Sequence, residues 1–430
     1  MDRVGTAGIG PVRGRGRGDR PSHALRSGVL CALAVVGAWA VVVAGTAPPA
    51  VAADARSKQW YLDAMYAEEM WKVTTGEGIK VAVIDSGVNP STPSLKGQVL
   101  KGVNATDEAG GSTDDYNGQG TTTAELIAGT GKGGGLRGLA PGVKIIPVRI
   151  PLLEHDEVPQ INDPLDGAIR AAADSDAQII NISVGNQYAI GLNMFGEQAA
   201  MEYAVRKGKL LIAGTGDNAE KGNKTQYPAA YPEVVGVASS DRGGRATRQS
   251  QHGKHVDISA PGEDIPRWCD AEFQSYCDDG GGAVAATALA SASAALVWSV
   301  HPEWTANQVL RVLFDTADRE GWVEGTHSYY SGHGGIRPGM NVLDGKGNPG
   351  APDANLLPDE VMPSPSSPPT PSAPAASQAS KAKHGGDAIV AGPSEKAQGD
   401  GRLGLIIGAA AAAAILAFGA FAVVRKRRNS

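Results

Sequence analysis

Apolar residues in this chain gather in short runs that end in Gly, Asn, Asp or Ser and alternate with longer, Ala-rich stretches of helical period. The runs at 80–84, 144–149, 179–183, 209–213 and 234–238 predict strands. The stretches at 121–128, 166–173, 196–207, 285–300 and 305–316 predict helices. A strand that is apolar at nearly every position has no face left for water. Such strands, separated by helices, predict a doubly wound α/β unit with a parallel sheet covered on both faces. Ligands of such sheets bind outside the carboxyl ends of the strands, so candidate chemistry is sought there.

Two further apolar runs lie outside that unit. Arg3, Arg13, Arg15, Arg17, Arg20 and Arg26 precede a run from Val29 to Ala44, and Ala50-Val51-Ala52 fits a small-residue cleavage site. This predicts a signal peptide over 1–52, with an uncleaved anchor as the alternative. The segment from Leu403 to Val424 has 22 residues and no charge, enough to cross a bilayer as a helix. Arg425, Lys426, Arg427 and Arg428 follow it, which places the tail at 425–430 in the cytoplasm. Between 344 and 402 large apolar residues nearly vanish, and Pro363, Pro365, Pro368, Pro369, Pro371 and Pro374 alternate with Ser, Thr and Ala. That composition cannot bury enough surface to fold and predicts an extended linker. The expected order is signal peptide, folded domain at 53–343 outside the cell membrane, linker, a single transmembrane helix at 403–424, and a cytoplasmic tail.

Composition narrows the function. With 430 residues, 42% apolar and 20% charged, the chain can build a sizeable core. The net charge is −6, and each end carries +4, which leaves −14 for the remainder. An acidic middle without a basic stripe argues against nucleic acid. Three cysteines cannot form a disulfide-dense scaffold or a four-ligand zinc site. Cys31 lies in the apolar signal. Cys269 and Cys277 are eight apart in a polar loop on the oxidising side of the membrane, which predicts a disulfide. The histidines are scattered and no carboxylates follow a calcium-loop pattern, so no metal or cofactor is expected. GKGGG at 131–135 lacks the spacing and the Ser/Thr of a phosphate loop and reads as a plain loop.

At the predicted strand ends a family resemblance emerges. VAVIDSGV at 81–88 resembles the segment that presents the catalytic aspartate of subtilisin-like serine peptidases. GLAPGVKIIPVRI at 138–150, INISVG at 180–185, YPAAYPEVVGVAS at 227–239 and ISAPGEDI at 258–265 follow in that family's order. Within the family, QWYLDAMYAEEMWKVTTGEGIKVAVIDSGV at 59–88 is very like the start of the mycosins of type VII secretion. The signal peptide, Pro-rich linker and C-terminal span repeat that architecture. The resemblance implies a subtilisin-like fold and places the family's site residues one by one.

Asp85 stands at the aspartate position. At the histidine position, within NGQGTTTAELIAG, the chain has Gln119, whose neutral amide cannot accept a proton near neutral pH. At the oxyanion-asparagine position the count gives Asp217, or Asn218 after a one-residue slip; a carboxylate there would repel a developing oxyanion. At the serine position stands Val284, which has no lone pair, flanked by Ala283 and Ala288 in place of threonine and proline. His155 reads as part of a surface insertion, Ser291 and Ser293 as packing residues, and Glu125 with Val284 does not copy the serine-carboxyl variant. Ser183, Val184 and Gly185 match the substrate-lining strand, offering backbone to an extended peptide or forming a covered sheet edge. The resemblance therefore implies a pseudoprotease. Three classes remain open: a non-catalytic mycosin-like component of type VII secretion that docks on its membrane complex, an active serine endopeptidase, and a module that binds extended peptides without cutting them.

Overall fold

The computed structural model describes residues 55–151, 164–185, 194–319 and 327–357. The expected signal peptide, span, tail and most of the linker lie outside the described residues, as does His155. Seven strands form one sheet: β1 (Lys80–Asp85), β2 (Val103–Asn104), β3 (Lys144–Arg149), β4 (Ile179–Ile182), β5 (Leu210–Gly214), β6 (Val234–Ser240) and β7 (Ile258–Pro261). Their order is β2-β3-β1-β4-β5-β6-β7, and every neighbouring pair is parallel. The helices are α1 (Trp60–Ala64), α2 (Ala67–Met70), α3 (Gln119–Ala128), α4 (Leu165–Asp174), α5 (Met194–Arg206), α6 (Gly282–Val300), α7 (Ala306–Asp315) and α8 (Gly339–Val342). Parallel strands need crossovers, and α3, α4 and α5 supply those from β2 to β3, from β3 to β4 and from β4 to β5.

The alternation of side chains along each strand divides the core in two. Val81, Val83, Ile145, Ile179, Ile212 and Val235 face the side that holds α3, α6 and α7. Ala82, Ile84, Ile146, Ile180 and Leu211 face the side that holds α4 and α5. Burial on both faces explains why these strands carry no polar alternation. The helix α6 is long and apolar enough to cross a membrane, but its residues from Ala285 to Trp298 are buried in the core of this domain. Its apolarity is that of a central helix surrounded by protein.

The five expected strands and five expected helices are present, with ends shifted by three residues at most. The structure adds β2, β7, the short helices α1, α2 and α8, and an antiparallel pair, β8 (Ile265–Trp268) with β9 (Tyr276–Gly280), where a polar loop was expected. The expected disulfide joins Cys269 to Cys277 across the turn of this hairpin. Closing so short a loop contributes about 2–3 kcal/mol in the chain-entropy account. Ordered contacts also pass the expected boundary at 343. Asn348 N donates to Asp315, Gln308 Nε2 donates to the Gly350 carbonyl, Thr305 Oγ1 donates to the Pro352 carbonyl, and Leu356 and Leu357 pack on the core. Contacts with the domain therefore continue to Leu357, the last of the described residues.

Candidate active site

The last residue of β1 is Asp85, fully buried at the carboxyl edge of the sheet. Its carboxylate accepts from the Ser86 backbone N (2.7 Å), Gln119 Nε2 (3.1 Å) and Thr123 Oγ1 (2.9 Å). Gln119 and Thr123 stand four apart on the first turns of α3, so one helix face meets the strand end. Gln119 Nε2 also donates to the Ser183 carbonyl at 3.2 Å. One amide nitrogen thus spends both hydrogens on two acceptors, and no protonatable nitrogen stands beside Asp85. Burial, which removes the carboxylate from water, pushes the Asp85 pKa up to about 7; the donors and the nearby Asp115 charge modify it less. Among the described residues the hydrogen-bond partners of Asp85 are the Ser86 backbone N, Gln119 and Thr123, none of them cationic.

The second half of the cleft is the amino end of α6. Val284 sits half-buried on its first turn, one residue after Ala283. The Asp217 carboxylate accepts from Ala283 N at 2.8 and 3.1 Å, in the mouth of the helix where unpaired N–H groups and the helix dipole favour an anion. Gly282 has φ +71°, and a side chain there would run into the Asp217 carboxylate. Asn218 turns away: its Nδ2 donates to the Lys224 carbonyl and its Oδ1 accepts from Gln251. The structure therefore brings Asp217, and not Asn218, to the helix end. Asp217 is exposed as a residue, yet its carboxyl oxygens are drawn into the protein and desolvation raises its pKa.

Between the halves runs the end of β4. Ser183 is buried, Val184 half-buried and Gly185 exposed. Asn181 Nδ2 donates to Ser183 Oγ at 2.7 Å, and Ser291 on α6 donates to Asn181 Oδ1 at 2.9 Å, tying the strand end to the central helix. Ser293 donates to the Leu289 carbonyl within its own helix. Both serines are buried packing residues, as expected, and neither faces the cleft as a nucleophile. Among the described residues no group of three or more His, Cys, Asp or Glu could hold a metal ion.

Three residues that matter here were not singled out from the sequence in these roles. Asp115, 8% exposed, accepts from Ser86 Oγ, Gly118 N, Asn117 N, Thr121 N and Thr121 Oγ1 at 2.6–3.2 Å. It fastens the start of α3 to the end of β1 and so fixes where Gln119 meets Asp85. Glu125, considered only as a substitute base, accepts from Tyr276 Oη (2.6 Å) and Thr92 Oγ1 (2.8 Å), and desolvation pushes its pKa up to about 7. It anchors the disulfide hairpin over α3 and lies too deep to serve the cleft. Gln226 places its carboxamide between Gly185 and Gly216, filling the space where side chains on those glycines would stand. Asp115→Ala would strand several buried donors and is expected to lower stability by about 3 kcal/mol. Urea unfolding of the purified chain checks this, and a change under about 1 kcal/mol would contradict the anchoring role.

A parallel sheet with this strand order carries an aspartate ending β1 beside the start of α3, and a second helix start, that of α6, met by Asp217 after β5. Residues 76–337 match the model of the subtilase family, peptidase S8, and the chain belongs to that family. Thermitase of Thermoactinomyces vulgaris is 29% identical over 279 residues, covering 64% of this chain and 92% of thermitase. The major intracellular serine protease of Bacillus subtilis (strain 168) is 35% identical over 206 residues, covering 46% of this chain and 63% of that protein. The match therefore spans less than two thirds of that protease's length. Among solved structures, MycP1 of Mycobacterium smegmatis superposes with a TM-score of 0.59 at 26% identity, covering 74% of this chain and 91% of that one. The MycP3 protease of the type VII (ESX-3) secretion system gives a TM-score of 0.57 at 27% identity, covering 69% and 89%.

Proposed function

We propose that this protein is a catalytically inactive subtilase homologue that supports type VII secretion by docking on its membrane complex. The observation that carries the reading is the Gln119 amide bridging Asp85 and the Ser183 carbonyl. It fills the position of the base with a group that cannot take a proton, and it gives Asp85 a structural partner. Val284 on the first turn of α6 and Asp217 at the helix mouth support the same reading, since one cannot attack a carbonyl and the other opposes a developing negative charge. The secretion context is proposed from the likeness to MycP1 of the ESX-1 and MycP3 of the ESX-3 type VII secretion systems. The signal peptide, linker and span read from the sequence add an outward-facing domain tethered to the cell membrane, with a cytoplasmic C-terminus.

A strain lacking the gene is expected to lose type VII secretion, and an Asp85→Ala copy that accumulates normally should restore it as well as the wild type. Crosslinking in the native envelope should recover secretion-channel subunits. Recovery of the monomer alone, with secretion unchanged in the deletion strain, would contradict the proposal. The second reading, an active serine endopeptidase, is favoured by the names of the relatives, which are proteases.

A further inference from the structure

The hairpin of β8 and β9 rests on the helix that carries Gln119. Trp268 N donates to Thr122 Oγ1 at 3.0 Å, and Thr122 Oγ1 donates in turn to the Gly118 carbonyl at 2.7 Å. Gly118 caps α3 with φ +85°, and a Cβ there would stand 2.8 Å from the Asp270 carbonyl oxygen and 3.1 Å from Trp268 Cβ. Hairpin backbone therefore lies directly on the residue before Gln119. Farther along the same helix, Tyr276 Oη donates to Glu125 at 2.6 Å. The two anchors, Trp268 and Tyr276, face each other across the hairpin with their rings stacked at 3.9 Å. Cys269 follows the one and Cys277 follows the other, so the disulfide closes the hairpin immediately beside both. Both cysteines are partly exposed, and Ser275 Oγ donates to Cys269 Sγ at 3.4 Å.

We propose that the Cys269–Cys277 disulfide is a redox-sensitive clamp on the candidate site. Closed, it holds the start of α3 so that Gln119 stays on Asp85 and the Ser183 carbonyl; reduced, it lets that turn lift. The inference holds whether or not the protein cuts peptides. A two-stranded hairpin is marginal on its own, and β9, YCDDG, has no buried residue, so the hold on α3 depends on the crosslink. The exposed ion pairs Lys58–Asp278 and Arg267–Asp279 contribute little in water. Asp115 grips the same turn independently through hydrogen bonds, which leaves the hairpin as the clamp that chemistry can release. The reductant is an external dithiol of the thioredoxin type. One of its thiolates attacks Cys277 Sγ, the S–S bond breaks, and Cys269 leaves as a thiolate steadied by the Ser275 hydroxyl. The second dithiol sulfur then attacks the mixed disulfide and releases Cys277. Two electrons pass to the cysteine pair, the dithiol becomes a disulfide, and the protons lost from its thiols end on Cys269 and Cys277.

The test follows backbone hydrogen exchange of the full-length chain by mass spectrometry, oxidised and after dithiothreitol under native conditions, with iodoacetamide marking free thiols at Cys269 and Cys277. Reduction is expected to speed exchange in residues 118–125 about tenfold or more, while β4 and β6 keep their rates, and reoxidation should restore it. The amides of Gly118, Gly120 and Thr121 report directly, because each is hydrogen-bonded in the closed state. The double variant Cys269→Ser, Cys277→Ser should exchange like the reduced chain and ignore dithiothreitol. Should that variant not fold, reversible reduction of the wild type decides alone. Faster exchange confined to 265–280 would overturn the proposal, since the disulfide would then hold only its own hairpin. An equal rise in every segment would overturn it too, by making the bond a brace of the whole domain. So would cysteines that take up iodoacetamide only after the chain is denatured.

Discussion

Replacing Asp85 with Asn is expected to flatten the pH dependence of stability between about pH 4 and pH 8. A buried carboxyl with its pKa raised to about 7 stays protonated in the folded protein where the unfolded chain is already ionised. Its contribution to stability is therefore fully present below the ordinary aspartate pKa, and it is lost as pH rises through about 7. The span corresponds to about 4 kcal/mol, an order-of-magnitude figure. Asp257 and Glu125, both also raised to about 7 by desolvation, slope the curve in the same direction. His333, lowered to about 4 by burial, slopes it the other way, losing stability as pH falls below its ordinary value. The difference between wild type and Asp85→Asn cancels these other groups. Urea midpoints for both proteins across that range should converge in acid and diverge in favour of the Asn variant above pH 7. Parallel curves would mean that Asp85 is ionised throughout, as it would be beside an imidazolium.

That expectation rests on Gln119 beside Asp85, a pairing legible in the sequence from the segments VAVIDSGV at the end of β1 and NGQGTTTAELIAG at the start of α3. Strands buried on both faces, such as Ile179–Ile182, announce themselves by unbroken apolar runs. Elements whose stability comes from elsewhere do not. The hairpin of β8 and β9 is polar because it lies at the surface, held by a disulfide, by Tyr276 on Glu125 and by Trp268 N on Thr122. The strand β2 is two residues long and owes its place to β3. Asp115 is one acid among several in a polar loop, and only the turn geometry shows that five donors converge on it. Gln226 lies ten residues beyond Gly216 but forty-one beyond Gly185, and only the fold brings all three together. Whether Asp217 or Asn218 faces α6 rests on a register of one residue, which the loop after β5 decides by sending Asn218 to Lys224 and Gln251.

Catalytic inertness is the larger expected effect. General base catalysis alone contributes about 10²- to 10⁴-fold, and without a serine the covalent route is closed altogether. On the proposed reading Gln119, Val284 and Asp217 each remove a separate requirement, so reverting any one alone is expected to gain nothing measurable. Gln119→His, Val284→Ser and Asp217→Asn together restore the three groups. Ala283 and Ala288 depart from the threonine and proline that the family resemblance places there, so the helix start would still differ. A small gain in the triple variant over each single one is the expected order.

The most direct measurement is made on the unaltered protein. The purified full-length chain is treated with a serine-directed phosphonate probe and, in parallel, with an unstructured protein substrate. The account predicts no covalent adduct by intact mass and no cleavage above that of buffer. Labelling at any serine of the chain, or cleavage that persists through purification and disappears in Asp85→Ala, would contradict it.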